Sequence, residues 1–389
     1  MTGSAPLRIL FLIAGTGRSG SGVSALTLAG GLHRAGHRVV VGCPAESFTA
    51  RLCRRSGLET WDVDVRACGP WAAARRLLPR CRDEGIQVVN AQEARDKLPA
   101  VLLKLRGARV RAVLTRRTRP GTFGPGEFLL SNLLADLNIA VSEGVRRALL
   151  RKGVLPSRVR VIPNSVDLAA VDAVRPEQVA AARAAHAPDS PAVPVLGIVG
   201  RFEATDREHN KGYDVLLAAL GRVRQPFRLL VLGPYKPEAL ARLGEMADAS
   251  EVSRERISFC GFQEEILPFY RLMDIFVLPS TSEALSRSTL EAMASGCACL
   301  GSRIEGLREL ITEGEDGLLF PARDARTLAA CLDQLLADEA LRRRLGQAAR
   351  RTVETRFRLE QSVAAYETTY RELLGGHMPG SAPSRAVLP

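Results

Sequence analysis

The sequence predicts an α/β chain of two domains, each a doubly wound parallel sheet with helices on both faces. Three observations carry this reading. Apolar runs of strand length alternate with amphipathic runs of helix length along the chain. The alternation stops in an Ala- and Pro-rich stretch at 171–192 and restarts near 195. The length of 389 residues exceeds what one core of about 100–200 residues accommodates.

The elements follow in order. "LRILFLIAG" (7–15) is an apolar run closed by glycine, hence a first strand. "VSALTLAGGLHRAG" (23–36) places Val23, Leu26, Leu28 and Leu32 at helical spacing. "HRVVVGC", "IQVVNAQ", "RAVLTR", "LNIAVS" and "RVRVIPNS" continue the first sheet through about residue 170. After the 171–192 linker, "VLGIVGR", "FRLLVLG", "RISFCG", "DIFVLPS" and "ACLGS" build a second sheet within 193–358. The end of the chain, 376–389, is rich in Pro, Gly, Ser and Ala and reads as a disordered tail.

Composition excludes several classes. Apolar content of 46% with 25% charged residues is that of an ordinary globular protein. There is no apolar run of about 18 residues, so no membrane helix is predicted. The first apolar run lacks a basic leader and runs into a glycine loop, which reads as a strand and not as a signal peptide. The 8 cysteines form no CxxC pair and no zinc spacing, and the 5 histidines do not cluster, so no metal is expected. Free thiols imply a reducing, cytoplasmic setting. Charge is uneven: residues 1–169 hold 27 basic and 12 acidic side chains, against 27 and 30 in 170–389. A basic first half points to an anionic partner, whether phosphorylated substrate, acidic lipid or nucleic acid, or to an arginine-rich solvated surface. Aromatic content of 5%, without aromatics interleaved among the cations, argues against nucleic acid.

Three constellations stand out. "GTGRSGSGVSAL" (15–26) places glycines between a strand and a helix. Such a turn can cradle phosphate on helix N-terminal amides, or be an ordinary tight βα turn. In "GRFEATDREHNKGYDVLLAAL" (200–220), Arg201 follows a strand and Lys211 precedes a helix, so both can converge on one anion at the top of a sheet, or be two solvated cations in a loop. In "STSEALSRSTLEAMASG" (280–296), Glu283 and Glu291 are eight positions apart. Continuous helix between them would set the side chains about 80° and ~12 Å apart. A loop to Ser286, acting as N-cap, followed by a helix from about Arg287 or Ser288 and ended by Gly296, instead puts Glu283 before the helix and Glu291 one turn inside it. The amides of Ala284–Arg287 would then form an anion site between two carboxylates that accept hydrogen bonds from hydroxyls. "WDVDV" holds Asp62 and Asp64 in a DxD pattern, read as a solvated strand face, and "WAAARRLLPRCRD" (71–83) reads as a candidate surface-binding helix interrupted by Pro79.

Together and in this order, these segments resemble family 4 of the retaining nucleotide-sugar glycosyltransferases, which have the GT-B fold of two Rossmann-like domains. "VSEGVRRALLRKGVLPSRVRVIPNSVDL" (141–168), the strand–GR–loop–KG–helix segment at 197–220 and the stretch 261–324 carry the resemblance. It implies a metal-independent, retaining hexosyltransferase with no cofactor, whose co-substrate is a nucleoside-diphosphate sugar, a UDP-sugar foremost. It assigns Arg201 and Lys211 to the leaving diphosphate and Glu283 to the transferred sugar, as the catalytic set. It assigns Gly20, Gly22, Ala284, Leu285, Ser286, Arg287, Glu291 and Phe262 to the donor, with Glu291 on the ribose. The donor would lie in an interdomain cleft, and a helix at about 359–375 would pack back on the first domain.

The sequence departs from the family pattern in two places. The loop between Arg201 and Lys211 is long. The family's histidine in a T-x-H context is replaced by Arg117 in "VLTRRTRP", and "VVNAQEA" also lacks one, which makes Arg116, Arg117 or Arg119 candidates for an anionic donor sugar or a phosphorylated acceptor, with Asn90 a further acceptor or sugar contact. The expected acceptor is a glycan or lipid-linked glycan in cell-surface polysaccharide or lipopolysaccharide biosynthesis. The basic first domain would rest peripherally on the inner face of an anionic membrane. The alternatives are a small soluble acceptor, or a non-catalytic module binding a nucleotide sugar or an anionic surface.

Overall fold

The computed structural model describes residues 5–15, 19–121, 124–189, 193–202 and 211–376. The 203–210 loop and the 377–389 tail singled out above therefore lie outside the described residues. The chain divides into two compact units: 1–165 together with 358–389, and 166–357.

In the first unit, β1 (Arg8–Leu12), β2 (Arg38–Cys43), β3 (Glu59–Asp62), β4 (Val88–Ala91), β5 (Arg111–Arg116), β6 (Leu137–Ala140) and β7 (Val159–Val161) are all parallel. Their order is β3-β2-β1-β4-β5-β6-β7. The helices are α1 (Gly20–Arg34), α2 (Phe48–Arg55), α3 (Val65–Asp83), α4 (Lys97–Leu105), α5 (Pro125–Leu129, continued by a π turn to Leu134) and α6 (Glu143–Arg151). Strand β1 shows why the runs are continuously apolar: Ile9 and Phe11 enter one core with helix residues Leu28 and Tyr370, and Leu10 and Leu12 enter the opposite core with Ala73, Leu77 and Leu102. A sheet covered on both faces leaves no polar alternation to read.

In the second unit, after α7 (Leu168–Asp172) and α8 (Pro176–His186), the parallel strands are β8 (Val195–Val199), β9 (Arg228–Leu232), β10 (Ile257–Gly261), β11 (Ile275–Leu278), β12 (Ala298–Ser302) and β13 (Leu318–Phe320). Their order is β10-β9-β8-β11-β12-β13. The helices are α9 (Tyr213–Leu220), α10 (Pro237–Ala249), α11 (Leu267–Leu272), α12 (Arg287–Ala294), α13 (Glu305–Arg308), α14 (Ala325–Ala337) and α15 (Glu339–Arg356). The last helix, α16 (Leu359–Leu374), belongs to the first unit and lies so close to α1 that a Cβ on Gly31 would come within 2.7 Å of Val363.

Three local expectations need correction. The 171–192 stretch carries α8, a helix of eleven residues started by Pro176, where the fixed φ suits a first helical position. Asp64 is not on a strand: its carboxylate accepts from the backbone N–H groups of Arg66 and Ala67 and caps α3, while Asp62 accepts from Ala45 N at 2.9 Å. The 71–83 segment does not hold its apolar stripe free for a surface, because Ala73, Ala74, Leu77 and Cys81 are buried in the core of the first unit. The eight cysteines are unpaired thiols.

Polar groups inside the first unit also anchor α16. Asn90 Nδ2 donates to Tyr370 Oη at 2.6 Å, and both residues are fully buried. Tyr370→Phe is expected to lower stability by about 1–2 kcal/mol, because it strands a buried amide donor. The midpoint of urea unfolding measures this, and an unchanged midpoint would show the contact to be worthless.

Candidate functional site

In the second unit the strands are laid down from β8 outward to β10, and then from β11 outward to β13 on the other side. The reversal opens a crevice between the carboxyl ends of β8 and β11, the place where open parallel sheets bind ligands. Gly200 and Arg201 leave β8 there, and Pro279 to Glu283 leave β11.

Lys211 reaches this crevice. Its Nζ donates to Glu283 Oε1 at 2.7 Å, and Ser280 Oγ donates to the same oxygen at 2.8 Å. Two glycines make that possible. A Cβ on Gly200 would press at 3.2 Å on the carbons of the Lys211 side chain. Gly212 has φ 69°, and a Cβ there would stand 2.1 Å from the carbonyl oxygen of Pro279. Both the left-handed backbone and the close approach require glycine. The start of α9 is thus pressed onto the exit of β11, and Tyr213 Oη ties it to the Gly200 carbonyl at 2.9 Å. Arg201 is exposed at the end of β8.

The loop after β11 ends where the sequence placed it. Ser286 is the N-cap of α12, its Oγ accepting from Thr289 N at 3.2 Å, and the helix runs for eight residues from Arg287. Ala284 and Leu285 precede the cap, and Gly306 in α13 backs them, since a Cβ there would lie 2.5 Å from the Glu283 carbonyl oxygen. Glu291 is buried one turn inside α12, and its Oε1 accepts from Arg287 Nε at 2.8 Å and from Arg287 Nη2 at 2.6 Å. The Arg287 side chain thus pairs with Glu291 in i,i+4 register, a spacing legible in the sequence. The Tyr270 phenol lies fully buried under the pair, where burial and then the Glu291 charge push its pKa well above the usual value. Ser280, Gly306 and Tyr270 carried no signal of their own in the sequence. Phe262 is half-buried just after β10.

The candidates in the first unit fare differently. Gly20 opens α1 with nothing within 4 Å of a would-be Cβ, and Gly22 N donates to the capping Ser19 Oγ at 3.1 Å. Asn90 and Arg116 are corrected from contacts to internal braces. Asn90 is enclosed, donating to Tyr370 and accepting from Thr115 Oγ1 at 2.8 Å. Arg116 donates to Glu127 at 2.6 Å, Ser131 at 2.7 Å and Asn138 at 3.0 Å, and burial lowers its pKa. Arg117, next along the chain, donates to Gln92 Oε1 at 2.9 Å and to Asn164 Oδ1 at 2.6 Å. Among the described residues no three His, Cys, Asp or Glu side chains group as a metal site, and no helix is long and apolar enough to cross a membrane.

Gly212→Ala is expected to destabilise by about 2 kcal/mol or more and to loosen the Lys211–Glu283 pair. Gly20→Ala, in open space, should stay within about 0.5 kcal/mol of the parent. Equal denaturant midpoints for the two variants would contradict the packing described for α9.

Comparison with known proteins adds to this geometry. Residues 18–170 match the family model described as Glycosyltransferase Family 4, and residues 193–338 match the one described as Glycosyl transferases group 1. The lipopolysaccharide core biosynthesis glycosyltransferase LpsE of Rhizobium meliloti is 33% identical over 46% of this chain and 50% of that protein. The chain spans about half or less of the length of the curated relatives it matches first. A glycosyltransferase of Rickettsia africae ESF-5 superposes with TM-score 0.83 at 19% identity, over 95% of this chain and 99% of that one. Anabaena Alr3699/HepE, solved in complex with UDP, superposes with TM-score 0.81 at 18% identity, over 94% of this chain and 100% of that one.

Proposed function

The chain belongs to the family 4 glycosyltransferases of glycosyl transferases group 1, with the GT-B fold, and from that premise we propose that it is a retaining hexosyltransferase. It moves a sugar from a nucleoside-diphosphate sugar, a UDP-sugar foremost, to a hydroxyl of a glycan or lipid-linked glycan. The setting is cell-surface polysaccharide or lipopolysaccharide biosynthesis at the cytoplasmic face of the membrane. The observation that carries the reading is the Lys211–Glu283 pair at the crevice of the second sheet, where the backbone of Arg201 leaves β8. The UDP bound by Anabaena HepE and the lipopolysaccharide core biosynthesis role of LpsE support the choice of donor and product class.

The chemistry is a displacement at the anomeric carbon. The bond from that carbon to the diphosphate oxygen breaks, and a bond to the acceptor oxygen forms on the same face. The acceptor proton passes to the departing phosphate oxygen, so configuration is retained and no protein nucleophile is needed. Negative charge grows on the diphosphate, and Arg201, Lys211 and the amides of residues 284–287 stabilise it by preorganised charges and dipoles, without a metal. Glu283, held by Lys211 and Ser280, accepts hydrogen bonds from the transferred sugar. Glu291, aimed by Arg287, accepts them from the ribose, and Phe262 borders the nucleotide. Gly20 and Gly22 serve as backbone contacts to the donor phosphates, and Arg117 serves the acceptor side.

A peripheral membrane contact has its own support in the first unit. Phe128, Leu129, Leu133 and Leu155 are exposed apolar side chains, Leu133 by 64%. Phe128 lies over Gly153, and Asn132 ties the same turn to Gly153 and Leu155, beside the cations Arg151 and Lys152. Apolar residues flanked by cations suit an anionic lipid surface.

Glu291→Ala is expected to weaken UDP binding about tenfold or more, because a charged hydrogen-bond acceptor is lost. Glu283→Ala should leave UDP affinity near the parent and lower kcat about a hundredfold. Parental calorimetric affinity for every common nucleoside diphosphate in both variants would sink the site assignment. Replacing Leu129 and Leu133 by Ser should lower co-sedimentation with phosphatidylglycerol vesicles several-fold, and unchanged sedimentation would remove the membrane contact.

A further inference from the structure

In the second unit the candidate crevice lies at the carboxyl ends of β8 and β11, and a different cavity opens at the other end of the same sheet. Arg271 lies just before the start of β11, and Gly296 just before the start of β12. Between them a cavity of about 430 Å³ is walled by α7, α11, the end of α12 and α15. That volume falls within the ~300–1,000 Å³ typical of small-molecule sites. None of the donor or acceptor residues named above lines it.

We propose that Arg271 and Arg351, with Arg343 and Gln347, bind a phosphate-bearing anion in this cavity, a diphosphate or a phosphomonoester, at a site separate from that of the nucleotide sugar. The site does not depend on glycosyl transfer, and either reading can fail alone.

The walls are fastened to one another by a single guanidinium. Arg350 of α15 donates to the Ala294 carbonyl oxygen at the end of α12 at 2.7 Å, to Asp172 of α7 at 2.8 Å and to Glu354 at 2.7 Å. Gly346 lets α15 lie against the end of α12, since a Cβ there would stand 2.0 Å from the Gly296 carbonyl oxygen. A site fixed in this way is in place before a ligand arrives, which lowers the ordering cost of binding.

Charge in the cavity is unbalanced. Its lining holds Arg271, Arg343, Arg350 and Arg351 against the one carboxylate of Asp172. Arg350 is spent on Asp172 and Glu354. Arg343 pairs with Glu339 at 2.5 Å along α15, but both side chains are exposed, so the pair is weak and yields readily. Arg271 and Arg351 are exposed, and among the described residues neither side chain makes a hydrogen bond or an ion pair.

Two uncompensated cations match a phosphate monoester, which carries about two negative charges at pH 7. Guanidinium forks meet phosphate oxygens two at a time. On α15 the residues Arg343, Gln347 and Arg351 follow at i, i+4 and i+8, so an amide donor stands between two guanidiniums on one helix face. The end of α12 is the negative end of its dipole and would by itself repel an anion. Arg350 covers that end and leaves the outer guanidiniums to the ligand.

The test is calorimetric titration of inorganic pyrophosphate into the full chain holding one equivalent of UDP. One further equivalent of pyrophosphate is expected to bind. Replacing Arg271→Gln together with Arg351→Gln should weaken it about tenfold or more, because two charge-assisted contacts are lost. Arg271→Lys with Arg351→Lys should recover part of that loss. Both double variants should keep UDP affinity within about twofold, as expected for distant sites. Lys211→Ala should leave pyrophosphate affinity at the parental level. No pyrophosphate binding beside UDP, or parental affinity in the glutamine variant, overturns the proposal. A loss of pyrophosphate binding in Lys211→Ala overturns it as well, by placing the anion in the nucleotide-sugar crevice. Succinate binding as tightly as pyrophosphate overturns the phosphate assignment. Sedimentation with phosphatidic acid vesicles separates two sources of the same chemistry: a fall in the glutamine variant assigns the phosphate to a lipid headgroup, and no change assigns it to a soluble phosphate. Matching melting temperatures of the parent and the double variants guard against a loss of fold.

Discussion

A parallel sheet grows by right-handed crossovers, and each crossover can only carry the chain toward one edge. To cover both faces, the chain must return to the middle of the sheet and start again in the other direction. At that point the two central strands send their exits apart, and backbone and side chains can face a ligand instead of each other. Both units of this protein obey the constraint, between β8 and β11 in one and between β1 and β4 in the other. Lys211 and Glu283 at one reversal, and Asp96 at the other, take their positions from it.

What stands at the two reversals differs in charge balance. In the second unit each carboxylate is matched by a cation: Glu283 by Lys211, and Glu291 by Arg287. Burying an isolated carboxylate is costly, and pairing it keeps the site folded before any ligand arrives. A bound diphosphate would then share cations that are already in place. In the first unit Glu93 has no such match within ion-pair distance among the described residues, and the rigidity comes from Asp96 bonding to backbone.

The strands and long helices were legible because their signals are local and redundant. Runs such as "RILFL" and "RLLVL" are apolar at every position because helices cover both sheet faces. The Ser286 cap and the start of α12 were legible for the same reason, since a cap acts within its own turn. Asp64 was misplaced because a strand residue and an N-cap both look like an aspartate beside valine, and what separates them is where the backbone turns. Asn90 and Arg116 were misjudged as contacts because exposure is a property of the surroundings. Tyr370, some 280 positions away, closes over Asn90, and Glu127, Ser131 and Asn138 close over Arg116.

By itself the sequence determined the two α/β units, the family resemblance, the loop-then-helix shape around Glu283 and Glu291, and the prominence of Arg201 and Lys211. These rest on periodicity, caps and short motifs, all set by neighbours within a few residues. Tertiary structure alone decided which charge meets which. Gly212 must touch the Pro279 carbonyl before Lys211 can reach Glu283 across 72 positions of chain, and Gly15 must yield space before Glu93 can enter its crevice. Such contacts depend on how strands far apart in sequence come to lie side by side, and no local pattern records that distance.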